Sequence, residues 1–133
     1  MVLVDTNVLL DVALRDPLWL PWSQAALTKE LRARTAAINV IIYTELIPAY
    51  ANPADLDVAL SGSGLKRLMV PYTAAIPASR AFLAYRKAGG ARTAPLPDFF
   101  IGAHAEAEGH SILTRDPTRY RAYFRTVSLI CPP

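Results

Sequence analysis

The stretch Val2-Leu3-Val4-Asp5-Thr6-Asn7-Val8-Leu9-Leu10 decides how this chain is read. Val2 to Val4 is an apolar, β-branched run that meets polar residues, the pattern of a buried strand. Asp5, Thr6 and Asn7 break it. Asp and Asn side chains hydrogen-bond nearby backbone N–H groups and so favour turns and helix N-caps. Val8, Leu9, Leu10 and Val12 then open a helix. Asp5 therefore stands where a buried strand hands its C-terminal end to a helix. In open α/β sheets, ligands bind at that edge. Asp5 is also the only charged residue between Met1 and Leu10. One reading makes it a turn or cap residue. The other makes it part of a site, because a carboxylate at the end of a buried strand needs hydrogen bonds, a cation or a proton. Asn7 supplies an oxygen and an amide donor suited to orienting it.

The rest of the composition sets bounds. At 133 residues a single domain spanning 1–133, with one sizeable core, is expected. Hydrophobic residues make up 53% and charged residues 19%, a globular balance that excludes wholesale disorder. No run approaches the roughly 18 apolar residues of a membrane span. The opening MVLVD lacks the basic start and long apolar stretch of a signal peptide, so a cytoplasmic location is expected. The lone Cys131 has no partner for an internal disulfide. The net charge of +3 leans slightly toward a polyanionic partner. Basic residues gather in two stretches, Arg80, Arg86, Lys87 and Arg92, then Arg115, Arg119, Arg121 and Arg125. Of these, Arg86, Lys87, Arg92 and Arg115 are candidates for contact with phosphates, against the alternative of solvated helix faces.

Working outward along the chain, Asp16-Pro17 reads as a cap and restart, with a helix running toward Arg34 that begins at Pro17 or at Pro21. Leu20, Ala26, Leu27 and Leu31 are its expected buried positions, and Trp19 and Trp22 are packing residues. Thr35–Ile38 is the second strand. Asn39 caps a helix from Val40 to Tyr50 that Pro48 kinks. Glu45 is the only charge between Thr35 and Ala54. On a helix apolar nearly all round it is costly unless something positive meets it. Asn52-Pro53 starts a short helix to Leu60, and residues 61–64 turn. Leu68–Val70 is expected as the third strand, ended by Pro71. Thr73 caps a helix to Ala88, closed by Gly89-Gly90. Residues 91–97 form an extended loop stiffened by Pro95 and Pro97.

The helix from Asp98 to Glu108 places Asp98, Ile101, Gly102 and Ala105 on one face, where small residues allow close approach to a sheet. Asp98 doubles as a cap candidate. His104 lies about 120° around from Asp98 and is read as peripheral, not as a ligand. Ser111–Leu113 is the fourth strand. It ends in Thr114-Arg115-Asp116-Pro117, repeating the opening pattern of an apolar strand followed by Thr and Asp. For Asp116 a cap before a proline is the alternative. Tyr120–Phe124 is a turn or short helix and Thr126–Ile130 the last strand. Strands alternating with helices imply a parallel sheet with right-handed crossovers.

Such a topology can bring Asp5, Glu45, Asp98 and Asp116 to one sheet edge. Four like charges at close range cannot all stay ionised unaided. A hard divalent cation with oxygen ligands, Mg²⁺ or Mn²⁺, resolves that repulsion. No Cys/His ligand set is evident in the sequence, which argues against zinc. Such a metal polarises a phosphate and activates water for in-line attack.

The stretches VLVDTNVLLDV, IIYTEL, PLPDFFIGAHA and ILTRDPTRY, in that order and spacing, resemble a PIN-domain ribonuclease of the VapC toxin type across essentially the whole chain. The resemblance assigns the family's acidic quartet to Asp5, Glu45, Asp98 and Asp116, and its supporting polar positions to Asn7 and Thr114. It implies a three-layer α/β/α sandwich with a small, mainly parallel sheet. It also implies Mg²⁺- or Mn²⁺-dependent endonucleolytic cleavage of RNA, frequent homodimers, and neutralisation by a cognate antitoxin that inserts a peptide, often with an Arg, into the acidic site. No extra acid stands beside Asp116. Two other classes compete. An Asp-dependent phosphoryl-transfer domain would want a second Asp where Asn7 stands, or a late Lys, and no Lys follows Lys87. A PIN-like module that only binds RNA or protein would show a broken quartet, and here all four acids are present.

Overall fold

The computed structural model describes residues 1–93 and 96–133. The stiffening expected of Pro95 lies outside these residues. The elements run β1 (Val2–Val4), α1 (Thr6–Ala13), α2 (Leu20–Arg32), β2 (Ala36–Ile38), α3 (Val40–Leu46), α4 (Pro53–Leu60), β3 (Lys66–Arg67), α5 (Ala75–Lys87), α6 (Pro97–Glu108), β4 (Ser111–Leu113), α7 (Thr118–Tyr123) and β5 (Leu129–Ile130). Single 3₁₀ turns follow α3 at Ile47–Ala49 and precede α5 at Tyr72–Ala74.

The sheet has five strands in the order β3-β2-β1-β4-β5, and every pair is parallel. Helices cover both faces, so the fold is a three-layer α/β/α sandwich. All residues of β1 and β2 and the last two of β4 are buried, as expected of strands covered on both sides. The core gathers these strands with Val8, Leu27, Ile42, Leu56, Ala78, Phe99, Ile101, Tyr120 and Phe124. The strand order reverses direction between β1 and β4. That is the switch point at which loops on the carboxyl edge splay apart and leave a crevice. Asp5 follows β1 and Thr114 follows β4, one on each side of it. The Asp5 amide donates to the Leu113 carbonyl at 2.8 Å and carries the ladder one residue further.

Several boundaries differ from the sequence reading for local reasons. The third strand is Lys66–Arg67, not Leu68–Val70. Residues 66 and 67 pair with Ala37 and Ile38, after which β2 turns into α3 at Asn39 and leaves no edge beyond the Leu68 N–H to Ile38 bond. Met69, in the expected strand, is 88% exposed. The last strand shrinks to Leu129–Ile130 because its partner β4 is only three residues long. Helix α2 begins at Leu20 with Pro21 in its first turn. Asp16 instead accepts the Leu18 and Trp19 amides in a turn ahead of it. Pro48 ends α3 at Leu46 instead of kinking a longer helix. Thr73 makes no capping bond, since the chain enters α5 through a 3₁₀ turn. Asn39 and Asn52 do cap, accepting from the Ile42 and Asp55 amides.

Gly102 shows why α6 carries small residues. A Cβ there would stand 2.3 Å from the ring of Phe124, which is buried just after α7. The close approach is thus to an aromatic side chain rather than to the sheet expected. Replacing Gly by Ala in a helix ordinarily gains about 1 kcal/mol. Here Gly102→Ala should instead lower the urea midpoint, because displacing a packed core ring costs about 1–3 kcal/mol and more than cancels the gain. A raised midpoint would show that Phe124 does not press on this position.

Candidate functional site

The carboxyl edge of the sheet at the switch point holds a cleft of about 290 Å³ whose lining includes Asp5, Glu45, Asp98 and Asp116. All four acids singled out in the sequence meet there, from four different parts of the chain. Asp5 is 5% exposed, Glu45 and Asp98 are half-buried, and Asp116 stands at the exposed rim.

Asp5 occupies the N-cap position of α1, but its carboxylate makes no capping hydrogen bond there. Its Oδ2 instead accepts three side-chain donors. They are the Thr114 hydroxyl at 2.8 Å, the Tyr120 hydroxyl at 3.1 Å and the Asn7 amide at 3.2 Å. Oδ1 takes none of these bonds. Asn7 is held in turn, because its Oδ1 accepts the Arg115 amide at 3.2 Å and its Nδ2 also donates to the Thr114 hydroxyl at 3.1 Å. An Asp at position 7 would present oxygen, not N–H, to Asp5. Burial raises the Asp5 pKa to about 6 despite the hydrogen bonds from Thr114 and Tyr120, and the nearby Asp98 pushes in the same direction as burial.

Glu45, from the last turn of α3, accepts the Thr6 hydroxyl at 2.9 Å. Among the described residues no Lys or Arg pairs with it. Burial and then the Asp98 charge outweigh the Thr6 bond and raise its pKa. Asp98 is the second residue of α6, with Leu96 in the cap position, so its carboxylate faces the cleft rather than the helix end. Arg119 Nη1 lies 3.2 Å from Asp98 Oδ2. Even so, burial holds the Asp98 pKa above the ordinary carboxylate value, with Asp116 adding to the rise. Asp116 retains part of a capping role, since its Oδ1 accepts the Thr118 amide at 3.4 Å.

The sequence reading missed Tyr120, Thr6 and Arg119 as members of this group. Tyr120 is 1% exposed, and a buried tyrosine needs a partner for its hydroxyl. That requirement was the one available signal. Thr6 was read as part of a turn and Arg119 as one of a basic stretch.

The four candidate phosphate contacts are placed differently from one another. Arg115 donates from Nε to the buried Asp11 at 2.8 Å, stacks over Trp19 at 5.5 Å, and is partly spent on that structural pair while still lining the acidic cleft. Arg86, at the end of α5, donates to the Arg92 and Gly90 carbonyls and ties down the following turn. Lys87 and Arg92 are exposed.

His104, read as peripheral to the acids, does not line the acidic cleft, and it is 0% exposed. With His110 and Glu108 it forms a group whose ligand-type atoms lie within 4.8 Å of one another. The sequence had shown no such set. The hydrogen bonding there opposes a metal. Asn39 Oδ1 is taken by the Ile42 amide, so its Nδ2 faces His104 Nδ1 at 3.0 Å as the donor. Nδ1 is then the acceptor, and the ring proton sits on Nε2, the atom an ion would need. Burial lowers the pKa of both histidines and keeps them neutral.

An all-parallel α/β sandwich with four carboxylates gathered at its switch point defines the class. A family model for the PIN domain matches residues 2–125, and the chain belongs to that family. No curated protein matches the chain by sequence. Solved structures do match in fold. VapBC2 from Rickettsia felis, bound to a promoter DNA fragment, is 18% identical with a TM-score of 0.74 and full coverage of both chains. DNA-bound VapBC from Salmonella typhimurium is 18% identical, covers 98% of each chain and has a TM-score of 0.72. FitAcB from Neisseria gonorrhoeae is 22% identical, covers 98% of this chain and 96% of its own, and has a TM-score of 0.70.

A carboxyl group that titrates higher in the native than in the unfolded chain stabilises most when protonated. For Asp5 this contribution is full below pH 3.8 and lost as the pH rises through about 6. At pH 7.5 the metal-free protein therefore carries an ionised Asp5 at a cost on the order of 2–3 kcal/mol. Asp5→Asn should raise its melting temperature at pH 7.5 by several degrees, with the difference shrinking toward pH 4. An equal or lower melting temperature at pH 7.5 would contradict the burial described for this group.

Proposed function

We propose that the chain is a divalent-metal-dependent endoribonuclease and the toxin member of a toxin–antitoxin pair. The observation that carries this is the cluster itself. Three carboxyl groups have pKa values raised chiefly by burial, in one cleft, and among the described residues a single arginine lies at hydrogen-bond distance from any of the four acids. A protein does not retain such a cluster for stability, because each buried charge is costly without a counter-charge. Membership of the PIN family and a fold shared with proteins solved as VapBC and FitAcB support the same reading.

The donor set suits Mg²⁺ or Mn²⁺, since every candidate ligand is a carboxylate oxygen. Asp5, Glu45, Asp98 and Asp116 would hold the ion. When bound, it supplies a Lewis acid for the phosphodiester and lowers the pKa of water beside it. The remaining work belongs to the chain. Thr114, Tyr120 and Asn7 hold Asp5 through Oδ2 and leave Oδ1 for the cleft. Thr6 orients Glu45. Asp116, at the rim, is placed to meet solvent and to accept a proton from water entering beside the phosphate. Arg119 offers a cation at the mouth for a phosphate oxygen. RNA is the substrate, an antitoxin protein the regulator, and a homodimer the expected assembly. One domain spans the chain, and the cytoplasm is the compartment in which both partners meet it.

Asp5→Asn and Asp98→Asn should each lower RNA cleavage about 100-fold or more, since even outer-sphere changes at metal sites cost 10–100-fold. Circular dichroism should be unchanged. Excess chelator should silence the wild-type protein. Full cleavage by either variant, or by wild type in chelator, would refute the proposal. Lys87 and Arg92 are taken as phosphate contacts. Replacing both with Ala should reduce the slope of log affinity against log salt by about 1.4 for single-stranded RNA. An unchanged slope would remove them from the interface.

A further inference from the structure

A second cleft, of about 430 Å³, opens beside the acidic one and shares Asp98 and Asp116 with it. Its other walls are Tyr85 from the end of α5 and Thr118, Arg119, Ala122 and Tyr123 from α7. The size falls within the range of about 300–1,000 Å³ typical of small-ligand sites. We infer that this cleft is a nucleobase pocket. It takes the unstacked base of the nucleotide next to the phosphate held at the acidic cleft, and Tyr85 and Tyr123 are its stacking walls. The inference rests on the ribonuclease reading for its substrate class.

The rings are held in place before any ligand arrives. Tyr85 and Tyr123 both pack edge-on against the buried Phe99, at 5.5 and 5.4 Å between centroids. They meet each other at 6.5 Å and 72°. Gly90 lies so close to the Tyr85 ring that a Cβ there would stand 2.3 Å from it. The Tyr85 hydroxyl accepts the Arg92 amide at 3.3 Å. Both tyrosines are only partly buried and line the cleft, so the cluster keeps some aromatic surface open to it. A pair of core tyrosines would bury that surface.

The chemistry of the walls is that of a base site. Single-stranded RNA is recognised by splaying bases onto aromatic side chains and by hydrogen bonds to their edges. Thr118 supplies an exposed hydroxyl beside the rings. Arg119, paired with Asp98 where the two clefts join, supplies a cation for the connecting phosphate. A base seated there is joined to a phosphate that lies over the carboxylates, because the two clefts share two of them. An aromatic side chain of an antitoxin peptide would find the same stacking surface, but every nucleotide also brings a phosphate for the Arg119 cation beside Asp98, whereas a peptide aromatic brings no charge of its own.

Binding in excess chelator isolates the pocket from cleavage. Fluorescence polarisation with labelled hexamers of A, C, G and U should show a preference among the four for the wild-type protein. Tyr123→Ala and Tyr85→Ala should weaken the preferred hexamer about 10-fold, in keeping with about 1–3 kcal/mol per stacked base. Tyr123→Phe, which keeps the ring, should bind as wild type, which separates loss of stacking from loss of folding. Thr118→Val should narrow the preference among hexamers. In cleavage assays Tyr123→Ala should raise KM while kcat changes less. Unchanged affinity and preference in both Ala variants would overturn the pocket even if the protein cleaves RNA. Weakened capture of a purified antitoxin with unchanged RNA binding would assign the cleft to the protein partner and overturn it as well. Tyrosine-dependent hexamer binding without any cleavage by wild type would uphold the pocket while sinking the ribonuclease reading.

Discussion

The bonds to Asp5 Oδ2 are the contact on which the site depends. They tie residue 5, at the end of the central strand, to Asn7 on the following helix, to Thr114 at the end of the neighbouring strand, and to Tyr120 on the last helix. Three donors on one oxygen satisfy half of a carboxylate that is 5% exposed, and leave the other half with no side-chain bond. Burial of that carboxylate outweighs the hydrogen bonds to it and raises its pKa to about 6. The same bonds join the two sides of the topological switch point. The geometry of the cleft and the register of β1 against β4 are therefore one and the same constraint.

The other acids follow from that arrangement. Glu45 is brought in by α3, whose start is fixed by the Asn39 cap, and is steadied by Thr6 one residue beyond Asp5. Asp98 is brought in by the opening of α6, and the close seat of Gly102 on Phe124 sets how near that helix can lie. Asp98 raises the cost of ionising Asp5 and Glu45, and Asp116 that of ionising Asp98. Arg119 beside Asp98 and Arg115 beside Asp11 are the cations nearest the cleft, and neither restores the ordinary pKa of Asp5. A site with this electrostatic imbalance favours a small, hard cation over any rearrangement open to the protein alone.

Much of this could be read from residues alone, and the limits have physical causes. Strands β1, β2 and β4 announce themselves because burial on both faces leaves unbroken apolar runs between turn residues. The edge strands do not. Lys66–Arg67 pairs on one side only, so its extent is set by where β2 ends, while the more apolar Leu68–Val70 misleads. The acids stand out because each is isolated in an uncharged stretch. Their supporting donors, Tyr120 and Thr6, are invisible in the same way, since a buried hydroxyl looks like any aromatic or turn residue until its partner is known. His104 shows the reverse case. Angular position on α6 sets it apart from the acids but says nothing of its full burial, where it meets Asn39 from a distant element.

The most direct measurement is proton release on Mn²⁺ binding, taken by calorimetry in buffers of different ionisation enthalpy. Binding requires ionised carboxylates, so an ion entering this cleft must displace the protons that burial retains. At pH 6, on the order of half a proton or more should leave per ion bound, with release vanishing by pH 8 and reduced in Asp5→Asn. Saturable binding at pH 6 with no proton released, or no binding at all, would show that these carboxylates are not the strained, ion-seeking cluster described.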